Sequence, residues 1–166
     1  MNYAKTLLLS PVIYFFTEAG GAMGQLLFSP SKHKAFPIHF HPLTASSLSQ
    51  FWGHDWNIWV QDWLRDVAIK FGHGSTIKRI LVTFAVSGLF HEIMVNLPYW
   101  LVYKKSYFGT MMLYFIIQSG ALWVDKKFIR QYHPYIQRTY MWMALVLPSP
   151  LFINVPFLTF LGIKNG

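Results

Sequence analysis

Two ionisable residues, His91 and Glu92, stand side by side near the middle of an apolar run, Ile80 to Tyr103. A helix over that run puts His91 near the midplane if the run crosses a bilayer. An ionised group at such depth costs at least ~2.5 kcal/mol, so residues of this kind face a cavity or a partner and carry function. A neutral imidazole in a water-poor setting is a general base for a hydroxyl. Thr83, Ser87 and His91 recur every four residues and form one polar strip. Glu92 and Asn96, also four apart, form a second strip. Adjacent helical residues are rotated by about 100°, so His91 and Glu92 need not touch as a dyad. Ser87 is spaced to bond either His91 or its own i−4 carbonyl. No G-x-S-x-G elbow occurs anywhere, which argues against serine hydrolase chemistry. His91 therefore reads in two ways, as a general base or as a partner in a buried interhelical hydrogen bond.

Metal chemistry has weaker support. His39 and His41 flank Phe40, with His33 upstream, and could put two imidazoles on one side of an extended segment. Carboxylates are scarce, there is no cysteine, and H-E-x-x-H fails because position 95 is Val. These histidines are expected to be solvated loop residues, and no metal or cofactor is expected.

The elements that position His91 follow from hydropathy. The chain of 166 residues is 54% hydrophobic and only 12% charged, about half the charge of an ordinary globular protein. Apolar runs recur at 6–28, 80–103, 108–124 and 139–163, each near the roughly 20 residues that cross a bilayer. The fold class expected is all-α integral membrane: about four transmembrane helices plus a cytoplasmic-face amphipathic helix, in one membrane domain over 1–166. The first run is read as a retained span, because its apolar stretch passes Gly24 to Phe28 and Glu18 interrupts any signal-cleavage region. Pro148, Pro150 and Pro156 should kink or split the last run.

A net charge of +8 raises nucleic acid as a partner, but the basic residues sit in short clusters beside apolar runs. That placement fits lipid headgroups and not a phosphate-tracking groove, so no nucleic-acid partner is expected. With segment 29–79 on the cytoplasmic side, ten Lys and Arg face the cytoplasm and four face away. Within it, Leu48, Trp52, Trp56, Trp59, Trp63 and Val67 recur at three- and four-residue spacing. They predict one amphipathic helix over 49–71, capped by Ser47 or Ser49 and stopped by Gly72 and Gly74, lying at the headgroup boundary.

Two blocks then carry a resemblance. "SLSQFWGHDWN" (Ser47 to Asn57) and "VSGLFHE" (Val86 to Glu92) resemble the C-terminal part of the membrane-bound O-acyltransferases, in particular the wax-synthase-type branch. The likeness covers about 29–125, and positions 54 and 55 carry His-Asp where that branch has two basic residues. It implies an enzyme moving a fatty acyl group from acyl-CoA, as co-substrate, to a lipophilic alcohol, giving a wax ester, sterol ester or related product. It implies His91 and Asn57 as catalytic residues, the first a general base and the second a donor to the thioester oxygen. Trp52, Trp56, Ser87 and Glu92 are implied as substrate-side residues. The location implied is an integral membrane, the endoplasmic reticulum in a eukaryote or the inner membrane in a bacterium. The family implies eight or more spans, so about four suggest a fragment of a longer chain, with N-terminal spans missing, or a homo-oligomer. The alternative is a non-catalytic, truncated or degenerate membrane module acting through helix association.

Overall fold

The computed structural model describes residues 15, 18–19, 39–72 and 75–163. Most of the expected first span and His33 lie outside the described residues. The described chain is helical throughout, with no strand.

The chain enters through a short 3-10 turn, Pro42–Thr44, and reaches helix α1, Leu48–Gln50. Ser47 caps α1 through its hydroxyl, which accepts from the Gln50 N–H. The helix continues as a π-helical turn, Phe51–Asp55, and then stops. Trp56 is extended and Asn57 takes a left-handed φ of 49°, a conformation that asparagine tolerates better than most residues. Helix α2, Ile58–Phe71, restarts from Asn57, whose Oδ1 accepts the Val60 N–H at 3.5 Å. The single helix expected over 49–71 is thus two pieces. The π turn takes in an extra residue per turn, and a left-handed residue cannot continue a right-handed helix. The break also ends the expected stripe: Trp52 and Trp56 pack on the core, whereas Trp63 is exposed.

Gly72 closes α2 and allows a tight helical hairpin. A Cβ there would meet the Ala68 carbonyl at 2.5 Å and the Arg79 Cα at 2.8 Å. Ser75 then caps helix α3, Thr76–His91, which runs through a π turn, Glu92–Asn96, into helix α4, Leu97–Tyr103. Pro98 has no N–H for the carbonyl four residues back, and the wider winding just before it absorbs that loss. Among the described residues, Thr76–Tyr103 is the one helix long and apolar enough to cross a membrane. At 1.5 Å per residue its 28 residues reach about 42 Å, more than a hydrocarbon core.

Helix α5, Thr110–Lys127, returns antiparallel along α3. Gly88 sets their separation, since a Cβ there would lie 3.1 Å from the Met112 Cα. Further along, Phe84 meets Phe115 with ring centroids 6.3 Å apart. After a 3-10 turn, helix α6 covers Pro134–Val146, and the last apolar run continues as two short pieces, α7 (Ser149–Phe152) and α8 (Val155–Phe160). The three prolines do split it: each sits in the first turn of a short helix or caps one.

Two apolar clusters hold these elements together. The larger joins α1, α3, α5 and α6 around Leu48, Phe84, Phe115 and Met141, and the smaller packs Val95 and Met111 against Ile153 and Phe157. Leu89, Phe90, Ile93, Met94, Leu101 and Val102 stay exposed along the spanning helix. If this helix crosses a bilayer, these side chains face lipid, and the close packing of the two clusters and of Gly88 holds the helices together along with the buried polar contacts.

Candidate functional site

His91 is the last residue of α3, directly before the π turn, a feature that often accompanies functional positions. Its Nδ1 lies 2.7 Å from the Ser87 carbonyl oxygen. A carbonyl can only accept, so Nδ1 carries the proton, and in the neutral ring Nε2 holds the free lone pair. The imidazole is packed between Phe115, at 4.8 Å, and Phe152, at 5.2 Å. Rotamer freedom is low, and the tautomer is fixed from the backbone.

Ser87 serves His91 through its carbonyl, not through its hydroxyl. Both residues line a cavity of about 1010 Å³, open on one side, between the π turn after α1, helices α2, α3 and α5, and the helices that follow. Trp52, Trp56 and Asn57 line the same cavity. Trp52 is held by its indole N–H, which donates to the Gln118 Oε1 at 3.1 Å, and by edge contact with Phe84. Gln118 is itself fully buried and donates to the Ala144 carbonyl. Trp56 stacks on Phe51 at 5.5 Å and on the His39 ring at 4.3 Å.

Glu92 goes elsewhere. It is buried on the side of the helix away from the cavity lining, where Oε2 accepts from the Asn96 amide at 2.7 Å. Its Oε1 accepts the Met112 N–H at 3.0 Å, in the first turn of α5. Gly109, the residue before that helix, has no side chain to cap it. Glu92 therefore caps α5 from the neighbouring helix, its Oε1 taking one of the N–H groups that the helix start leaves without a partner. Asn96, Thr110 and Asn154 extend this buried network. Five of the six residues singled out from the sequence thus share one cavity, and Glu92 stands behind it.

His39 corrects the expectation of solvated histidines: it is only 3% exposed, although His41 is open to solvent. Burial lowers its pKa below the ordinary histidine value, with the Glu18 carboxylate opposing. Among the described residues no group of three or more His, Asp or Glu is placed to hold a metal ion. His54 points outward and pairs with Asp55 at 2.8 Å, while Asp55 is buried and also accepts from Gln50.

Sequence reasoning missed several residues here. Arg65, Arg79 and Lys126 line the cavity. Arg79 precedes His91 by twelve residues on one helix, which is about 18 Å along its axis, and Lys126, in the last turn of the antiparallel α5, lies toward the Arg79 end. Gln118 and Asp125 are polar residues in or beside an apolar run, and that oddity was a usable signal. Asp125 Oδ2 accepts from both the backbone N–H and the hydroxyl of Ser49, tying the end of α5 to α1. No sequence signal marked Phe115 or Phe152.

Residues 36–117 match the model of the Membrane bound O-acyl transferase family, a segment holding His39, the F-W-G turn, Asn57 and His91. No curated protein and no solved structure matches the chain.

Proposed function

We propose, from the membership of the membrane-bound O-acyltransferase family that this match supports, that the chain moves a fatty acyl group from acyl-CoA to the hydroxyl of a lipophilic alcohol. The observation that carries the reading is His91: its tautomer leaves Nε2 as an acceptor, and it lines one large apolar cavity together with Asn57.

The steps follow from that arrangement. The acceptor alcohol gives its proton to His91 Nε2 as its oxygen attacks the thioester carbonyl. The carbonyl oxygen becomes an oxyanion, for which the Asn57 amide is the donor. Collapse expels the CoA thiolate, which takes the proton back from the imidazolium, and the ester leaves. The Ser87 carbonyl favours the imidazolium, because it accepts from Nδ1–H throughout. Arg65, Arg79 and Lys126 give the far end of the cavity the charge to receive the phosphates of CoA. Trp52 and Trp56 wall the apolar part. In this reading α5 and the helices after it cross or enter the bilayer beside Thr76–Tyr103, and only together with the expected first span, outside the described residues, would they make about four.

The test is ester formation by membranes carrying the chain, supplied with labelled acyl-CoAs and a panel of long-chain alcohols, sterols and diacylglycerol. Ester from at least one pairing supports the reading and names the acceptor class. No ester from any pairing, with the chain inserted and intact, favours the non-catalytic module.

A further inference from the structure

His39 is a buried histidine that the proposed reaction does not use. Its Nδ1 accepts the backbone N–H of Asn57 at 2.9 Å, and its ring lies on the Trp56 indole with centroids 4.3 Å apart. One residue on, the Phe40 N–H donates to the Asp55 carbonyl at 2.9 Å. Two bonds of opposite sense thus staple segment 39–40 to the end of the π turn, just where the chain turns left-handed at Asn57. The His39 N–H is itself held by Glu18 Oε1, at 2.9 Å.

This contact dictates a protonation state. An N–H can only donate, so Nδ1 must present its lone pair, and a doubly protonated His39 cannot hold Asn57. Asn57 needs such an anchor. Its left-handed conformation, although better tolerated by asparagine than by most residues, comes without cost only to glycine, and its own cap to Val60 is long at 3.5 Å.

We propose that His39 is a positioning residue: its neutral ring fixes the Asn57 backbone, and so aims the Asn57 amide into the cavity that His91 lines. The proposal rests on the reading of Asn57 as the oxyanion donor. Among the described residues, the ionisable groups around His39 are the Glu18 carboxylate and the His54–Asp55 pair, whose His54 stacks on Phe40. Burial favours neutral His39 and Glu18 opposes this, burial being the larger effect. The anchor is therefore complete at neutral pH. It is released as pH falls through a value below the ordinary histidine pKa of 6.5.

Two substitutions separate the acceptor from the ring. His39→Asn keeps an acceptor at the position of Nδ1 but cannot titrate and has no ring for Trp56. His39→Phe keeps the ring and has no acceptor. Hydrogen exchange protection of the Asn57 amide, corrected for the intrinsic pH dependence of exchange, is measured from pH 7.5 to 5, with acyl-transfer kinetics alongside. Expected are protection that wild type loses on acidification, that His39→Asn keeps at every pH, and that His39→Phe lacks throughout. His39→Phe should lose at least about tenfold in kcat, with KM for acyl-CoA little changed, as a displaced catalytic group does. Pairing of His39→Phe with wild-type protection and wild-type kcat would overturn the proposal. So would an acid loss of protection that persists in His39→Asn. If His39→Phe fails to accumulate, the pH series of wild type against His39→Asn still decides. If wild type makes no ester, the exchange data still decide whether His39 anchors Asn57, and only the acyltransferase reading fails.

Discussion

Asn57 has a structural role in the fold and a proposed catalytic one, and a single substitution can part them. Its backbone is left-handed and its side chain caps α2, both reasons to find asparagine there without any chemistry. Glycine accepts the same backbone freely and loses only a few tenths of a kcal/mol as a cap. Asn57→Gly should therefore accumulate and insert like wild type while kcat falls by roughly 10²–10³, the usual cost of one oxyanion donor. Accumulation is read by quantitative blotting and kcat by ester formation. Unchanged turnover would leave Asn57 with its structural role alone. At this scale the sequence was informative about identities and less so about partners. The strip of Ser87 and His91 is real, but the contact is through the Ser87 carbonyl and not its hydroxyl. Helical geometry leaves Glu92 free not to touch His91, but the substrate-side place that the resemblance implies for it is not where the structure puts it. Its carboxylate bonds Asn96 and the Met112 N–H and does not line the cavity. Its bond to the Met112 N–H depends on how α5 docks, which no local pattern encodes. His39 escapes the sequence for the same reason: its partners are Trp56 and Asn57, 17 and 18 positions further along, and Glu18, 21 positions back, not its neighbours in sequence.

Helices α3 and α5 form the frame on which the site is mounted, and Gly88 is its tightest point. A side chain there meets the Met112 Sδ at 2.9 Å and its Cα at 3.1 Å. The sulfur can swing aside, but the backbone cannot. Gly88→Val should cost about 1–3 kcal/mol through overpacking and lower the midpoint of thermal unfolding in detergent, with Gly88→Ala intermediate. A Gly88→Val protein as stable as wild type would show that the two helices do not pack this closely. Element boundaries were legible where local chemistry sets them: the Ser47 cap, the Gly72 stop and the proline-split end of the chain. The break at Trp56–Asn57 was hidden, because a helical stripe of Trp runs straight through it. Trp52 and Trp56 keep that spacing while serving the core, one bonded to Gln118 and the other stacked on Phe51 and His39.

Taken whole, the molecule sets a basic end of its cavity opposite His91, which suits a donor that is anionic at one end and apolar at the other. If Arg79 and Lys126 face the cytoplasm, as the distribution of Lys and Arg predicts, Lys105 lies on the opposite side. The chain has no cysteine, so single replacements report cleanly. In sealed vesicles of known orientation, Lys70→Cys, which precedes the helix, should react with a membrane-impermeant maleimide from the cytoplasmic face and Lys105→Cys, which follows it, from the other. Labelling of both from one face would refute a crossing by Thr76–Tyr103.

The central claim is that His91 removes the proton from an acceptor alcohol. It is tested most directly by comparing wild type with His91→Gln in acyl transfer at saturating acyl-CoA, with both proteins matched for amount and insertion. Glutamine can still donate to the Ser87 carbonyl but offers no basic nitrogen. The account predicts a loss of about 10²–10⁴ in kcat with substrate binding retained. Turnover by His91→Gln within a few-fold of wild type would contradict it.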